Sequence, residues 1–247
     1  MYPPDLMVVH RPRKGAMAWL FNRVMPTDNR PTFVWPRLVV AIEDTRHFDR
    51  RELSVIAVVL IVMTIATIKA LLFIPGLDSS VVELLTSIFA TFLPARWATG
   101  AAWVAGVAGV LLIGDFTNYT KQQKALHSLK ATRCEAYNTL LLFALWEEQA
   151  FRSGSERWSW CERVRASVCF GLAHVVNVWY SFAAGIALSA TGFSFLLVYL
   201  WYYRKYHSQI VATAAATTLH TLYNVIALSL TVTAVVIYAA ISIIKVL

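Results

Sequence analysis

Residues 53–74 of the chain read LSVIAVVLIVMTIATIKALLFI, and Lys69 is the only charged residue in this stretch. An α-helix needs about 20 apolar residues to cross the hydrocarbon core of a bilayer. A helix also satisfies its own backbone hydrogen bonds where no water is available. The stretch therefore predicts a transmembrane helix.

The rest of the chain extends this pattern. Its composition is 58% hydrophobic and 15% charged, which is too little charge for the surface of a soluble domain of 247 residues. Further apolar stretches lie at residues 81–93, 98–113, 136–149, 164–180, 182–203 and 208–247. The last stretch is twice the length of one span, so we expect two helices there with a break near residues 224–229. The sequence predicts an all-α, polytopic transmembrane helical bundle with about seven or eight spans.

Two parts of the chain differ in kind. Residues 1–52 form a basic segment with nine Lys and Arg residues, and residues 53–247 form the predicted bundle. Cations before a first span favour a cytoplasmic N-terminus, and the plasma membrane is the default location. The net charge of +8 comes from cations beside predicted spans. Anionic lipid headgroups are therefore the expected partners, and nucleic acid is not.

The cysteines indicate no special chemistry. Cys134, Cys161 and Cys169 are odd in number and form no CxxC pair. Neither a disulfide framework nor a thiolate zinc site is expected.

Three short motifs place polar residues where polarity is costly. The first is EEQAFR, residues 147–152, at the end of an apolar run. The second is FGLAH, residues 170–174, followed by Asn177, and the third is HTLYN, residues 220–224. Ionisable groups at membrane depth cost a few kcal/mol or more, so their presence favours a function. Residues four apart share a helix face, which predicts an ion pair between Glu148 and Arg152.

Each motif also has a structural explanation when taken alone. The first could be a solvated helix end that carries an ion pair. His174 and His220 could donate interhelical hydrogen bonds without any catalytic role. Together, however, the motifs supply carboxylates, two imidazoles and an amide on three predicted spans, which is what activating a water and holding an oxyanion requires.

EExxxR, FxxxH and HxxxN, in this order and each on its own membrane helix, resemble the CPBP family. These are the CAAX-processing and bacteriocin-processing intramembrane proteases, also called Abi proteins. The resemblance covers about residues 136–224, and every defining position of the three motifs is matched.

The resemblance implies a role for each motif residue. Glu147 is the expected general base, and His174 is expected to help hold and polarise the water. His220 and Asn224 are the expected oxyanion donors. Supporting roles fall to the residues around them, namely Glu148, Arg152, Phe170 and Asn177. No cofactor or metal is implied, and the substrate is a peptide or membrane protein whose lipidation stays open.

Two other functions remain open from the residues. Glu147, His174 and His220 could form a two-His, one-carboxylate site, which would make the chain a zinc-dependent membrane hydrolase. A non-proteolytic membrane scaffold or bacteriocin-immunity protein is the other alternative. Loss of a motif residue would favour the scaffold, and none is lost.

Overall fold

A computed structural model describes residues 42, 49–94, 97–105, 135–175 and 181–244. These residues form helices α1 (Arg50–Leu71), α2 (Val81–Ala90), α3 (Glu135–Phe151), α4 (Trp160–Val175), α5 (Phe182–Tyr206) and α6 (Gln209–Ile244). A 3₁₀ turn, Ser155–Arg157, precedes α4, and residues 97–105 are also helical. The described residues contain no β-strand, only an isolated bridge between Ser80 and Ser181. The all-α fold class is thus confirmed.

Among the helices that the structure describes, three are long and apolar enough to cross a membrane. They are α1, α5 and residues 209–242 of α6. On α1, the residues that face the bundle are Leu53, Ala57, Ile61 and Thr64, whereas Val55, Val58 and Val62 are exposed. A helix that is apolar on both its buried and its exposed face is typical of a lipid environment.

Capping side chains fix where several helices begin. The Asp49 carboxylate accepts from the Arg51 backbone N–H at 2.8 Å, so α1 begins at Arg50 rather than at the predicted residue 53. At the start of α4, Ser159 and Glu162 exchange hydrogen bonds. The backbone N–H and then the hydroxyl of Ser159 hold the pKa of Glu162 below its usual value.

The predicted break in the last apolar stretch is wrong. α6 is one continuous helix of 36 residues from Gln209 to Ile244. The break was expected from length alone, but residues 209–244 contain neither glycine nor proline, the residues that usually interrupt a helix. The first half of α6 packs in the bundle, whereas residues 228–241 are exposed.

Small residues bring the helices close enough to place polar groups together. Gly171 on α4 lies against Ser189 and the Gly185 backbone on α5, where a Cβ atom would clash. Thr64 on α1 and Thr191 on α5 share a hydrogen bond of 2.7 Å. On α6, the buried face facing these helices carries Ala212, Ala214, Ala215 and Ala216. These close approaches bring α3, α4, α5 and α6 around one buried polar cluster.

Candidate functional site

The end of α3 carries a buried ion pair. Arg152 Nη1 donates to Glu148 Oε1, and the two side chains are 2% and 0% exposed. The pairing follows the predicted i, i+4 spacing. A solvated helix end, however, is the wrong interpretation for these two residues, because burial has removed both from solvent.

Aromatic rings and a backbone carbonyl complete the surroundings of Arg152. Its Nε donates to the Gly192 carbonyl at 3.2 Å. Its guanidinium carbon lies 4.3 Å from the ring centre of Phe170 and 5.1 Å from that of Phe195. Cation–π contact with desolvated rings is worth up to about 2 kcal/mol. Arg152 is therefore held from α4 and α5 as well as by Glu148.

His220 joins this pair from α6. Its Nδ1 lies 2.8 Å from Glu148 Oε1, and its side chain is only 3% exposed. Phe195 covers the imidazole at a ring-centre distance of 4.7 Å, and Phe170 lies at 5.7 Å. Glu148 thus connects Arg152 on its own helix to a histidine 72 residues away along the chain.

Glu147 faces both histidines. Its Oε2 lies 3.4 Å from His220 Nε2, and its Oε1 lies 3.9 Å from His174 Nε2. The Glu147 and His174 side chains are each 20% exposed, unlike the buried Glu148 and His220. The cluster therefore has a buried side, at Glu148, and an open side between Glu147 and His174.

The hydrogen bonds of His174 fix its neutral form. Its Nδ1 lies 2.8 Å from the Phe170 carbonyl oxygen, which can only accept. Nδ1 must therefore carry a proton, so in the neutral ring Nε2 presents a lone pair towards Glu147.

No family model, curated protein or solved structure matches this chain. The geometry of the site and the three motifs are therefore the basis for inferring the function.

Three of the four predicted catalytic residues come together, namely Glu147, His174 and His220. Asn224 lies one turn beyond His220 on α6 and is half-buried. Its side-chain amide makes no hydrogen bond to another residue in the described ranges, so it is free to turn towards a ligand.

Two predicted supporting residues remain. Asn177 falls outside the described residues, and the Phe170 ring contacts both imidazoles.

The zinc alternative requires three ligands that converge on one point. Within the described ranges, no group of three His, Cys, Asp or Glu side chains is arranged to hold a metal ion. Glu147, His174 and His220 are near one another, but they do not form such a group.

Phe195 and Gly192 contribute to the site but carried no signal in the sequence. Phe195 contacts the His220 ring, and the Gly192 carbonyl accepts from Arg152. An aromatic residue in an apolar span most often marks core packing. Only the glycine at residue 192, in the middle of a predicted span, could have indicated a close approach between helices.

A second buried carboxylate lies just after the first motif. Glu156 is 5% exposed and accepts from the Tyr199 hydroxyl at 2.9 Å and from the Gln209 side-chain amide. The Tyr199 hydroxyl oxygen also accepts from the Gly154 backbone N–H at 3.2 Å. Gly154 has φ 89°, a left-handed conformation that glycine adopts without strain. This Glu156 cluster fastens the loop after α3 to α5 and α6.

Proposed function

We propose that the chain is an intramembrane endopeptidase in which Glu147 activates a water molecule for attack on a peptide bond. One observation carries the proposal: the partly open Glu147 carboxylate faces the Nε2 atoms of histidines from two other helices. The three motifs that resemble the CPBP family support the same assignment.

Water activation follows from the hydrogen-bonding capacity of the atoms. Glu147 Oε1 and the lone pair on His174 Nε2 are both acceptors, and 3.9 Å is too long for a direct hydrogen bond. A water molecule that lies to one side of these two atoms can donate one hydrogen bond to each of them. When its oxygen attacks the carbonyl carbon, one proton passes to Glu147. General base catalysis of this kind contributes about 10²–10⁴-fold.

The remaining steps return the site to its starting state. Protonated Glu147 gives its proton to the amide nitrogen, the C–N bond breaks, and an acid and an amine leave. The tetrahedral oxyanion formed in between accepts from His220 Nε2 and the Asn224 amide. One such donor is worth about 10²–10³ in turnover. The Glu148–Arg152 pair holds the end of α3, so it positions Glu147.

The membrane setting indicates the class of substrate. Three of the described helices are able to span a bilayer. We propose a bundle of about seven of the predicted seven or eight spans, because the last apolar stretch is a single helix, with a cytoplasmic N-terminus, in the plasma membrane. The substrate is a peptide or membrane protein presented to the site within the bundle, with or without a lipid anchor. Lys and Arg residues beside the spans contact anionic headgroups.

Replacement of Glu147 by Gln tests the proposal, because it removes the base and keeps the side-chain shape. The chain is reconstituted in liposomes with membrane-tethered reporter peptides, some with and some without a C-terminal isoprenyl group. Mass spectrometry then measures the cleaved fraction. We expect the Glu147→Gln chain to lose at least about 10²-fold in rate. Glu52→Gln is the matched control, because Glu52 is an exposed carboxylate in the first turn of α1.

Identical behaviour of the wild-type and Glu147→Gln chains would contradict the proposal. Such a result favours the non-proteolytic scaffold. A bound metal whose removal abolishes cleavage would instead favour the zinc-dependent hydrolase.

A further inference from the structure

We propose that His220 carries a proton on both ring nitrogens in the resting site, and that Glu148 is the positioning residue that keeps it so. His174 carries a single proton, on Nδ1. The use of His220 as an oxyanion donor rests on the proposed peptidase function, whereas the placement of the protons rests on the geometry alone.

The first proton lies on Nδ1 of His220. This atom is 2.8 Å from Glu148 Oε1, which also accepts from the Arg152 guanidinium. A carboxylate paired with a guanidinium is ionised and can only accept hydrogen bonds. Nδ1 must therefore be the donor.

The second proton lies on Nε2 of the same ring. Nε2 faces Glu147 Oε2 at 3.4 Å, in a side chain that is 3% exposed. Without a proton, the partial negative charge of Nε2 would lie beside a carboxylate oxygen, on an imidazole that packs against two aromatic rings. A buried polar atom that lacks a partner is unfavourable. A proton on Nε2 converts this repulsion into a charge-assisted contact.

Charge balance supports the same arrangement. The charged groups facing His220 are Glu147, Glu148 and, through Glu148, Arg152, all on α3. Two carboxylates and one guanidinium leave one negative charge in excess, and a doubly protonated His220 brings the sum to zero. The other contacts are neutral rings, Phe170 on α4 and Phe195 on α5. The excess negative charge lies beside a His220 side chain that is only 3% exposed, and opposite charge at this distance favours the protonated ring.

His174 has the opposite arrangement. Its Nδ1 donates to a neutral backbone carbonyl, and its more exposed Nε2 lies farther from Glu147 than that of His220. The two histidines therefore have different roles in the proposed reaction. His174 accepts from the attacking water, and His220 donates to the oxyanion. The oxyanion role requires the second proton, because Nδ1–H is already committed to Glu148.

A ring-nitrogen spectrum of the full chain tests the proposal. ¹⁵N-histidine is incorporated, the chain is placed in lipid nanodiscs at neutral pH, and the six histidines are examined by NMR. Spectra of the His174→Asn and His220→Asn chains assign the two sites. We expect two protonated nitrogens for His220 and one for His174. In Glu148→Gln, His220 should lose one proton, whereas Glu156→Gln, which changes the other buried carboxylate, should leave His220 unchanged.

A wild-type His220 with one unprotonated nitrogen would overturn the proposal, whatever the Glu148→Gln chain shows. An equal change of the His220 nitrogen signals in Glu148→Gln and Glu156→Gln would also overturn the proposal. The effect would then come from a general loss of packing. Kinetics give a second readout: Glu148→Gln should lower kcat about 10²–10³-fold with KM unchanged. A chain that cleaves no peptide but shows the expected spectrum contradicts the peptidase function and leaves the proton placement standing.

Discussion

Glu148 and Glu156 are two buried carboxylates eight residues apart, and their partners differ. Glu148 contacts Arg152 and His220, two ionisable groups, and its neighbour Glu147 is open to a ligand. Glu156 receives neutral donors, the Tyr199 hydroxyl and the Gln209 amide. Its nearest cation, Arg157, is 64% exposed at 3.7 Å.

The difference distinguishes a carboxylate suited to proton transfer from one suited to a structural role. Neutral donors hold a carboxylate in one charge state and one position, which suits a clamp on a loop. Charged partners make the state of each group depend on the others, which suits proton transfer. Burial alone therefore does not distinguish a carboxylate of the proposed active site from a structural one, whereas the hydrogen-bond and ion-pair partners do.

Arg152→Met should have the largest effect on stability. It leaves Glu148 buried without its guanidinium, and breaking a buried ion pair costs about 3–5 kcal/mol. The free energy of unfolding in detergent measures the loss. Arg157→Met makes the same change beside the other carboxylate at an exposed position, where the cost should be below about 1 kcal/mol. Equal losses in the two variants would show that the two carboxylates do not differ in this way.

Tyr199→Phe should have the next largest effect. It removes the hydroxyl donor to Glu156 and leaves the Gly154 N–H without its acceptor, at a cost of about 1.5–3 kcal/mol. The folded fraction should keep the wild-type kcat, since the partners of Glu156 in the described ranges do not include Glu147, His174 or His220. Tyr238→Phe, at an exposed position on α6, is the control and should change neither quantity. A loss of kcat in Tyr199→Phe would give the Glu156 cluster a part in the chemistry.

Gly192→Ala should have the smallest effect, and it tests the packing around Arg152. The added Cβ would lie 2.5 Å from Phe170 Cδ1 and 3.2 Å from Arg152 Nη2. Overpacking costs about 1–3 kcal/mol, and the higher helix propensity of alanine offsets about 0.5–1 kcal/mol of it. Gly100→Ala has open space around its Cβ and should be stabilising. Destabilisation of both variants to the same extent would remove close approach as the cause.

The sequence predicted what depends on local spacing and on solvent. Apolar length indicated the helices, and the i, i+4 rule indicated the Glu148–Arg152 pair. The contact between Glu148 and His220 could not be predicted, because it depends on how α3 and α6 cross. The contact between Phe195 and His220 could not be predicted for the same reason. In the sequence, Phe195 cannot be distinguished from a phenylalanine that only packs in the core.

Apolar length predicts that a segment is helical better than it predicts where the helix ends. The predicted count of seven or eight assumed that each run of about 20 residues ends in a turn. α6 contradicts that assumption at residues 224–229, because nothing in its sequence interrupts the backbone hydrogen bonds. Residues 98–113 lie partly outside the described ranges, so the sequence-based count stays a prediction.

The length of α6 has a consequence for the lipid around the molecule. Its 36 residues rise about 54 Å at 1.5 Å per residue, against a hydrocarbon core of about 30 Å. An upright α6 cannot fit within such a core, so a strong tilt, a local thickening of the bilayer or a helix end outside the core must resolve the hydrophobic mismatch. His220 lies on this same unbroken helix. The depth of the imidazole below the headgroups is therefore set in part by bilayer thickness, a property of the solvent rather than of the chain.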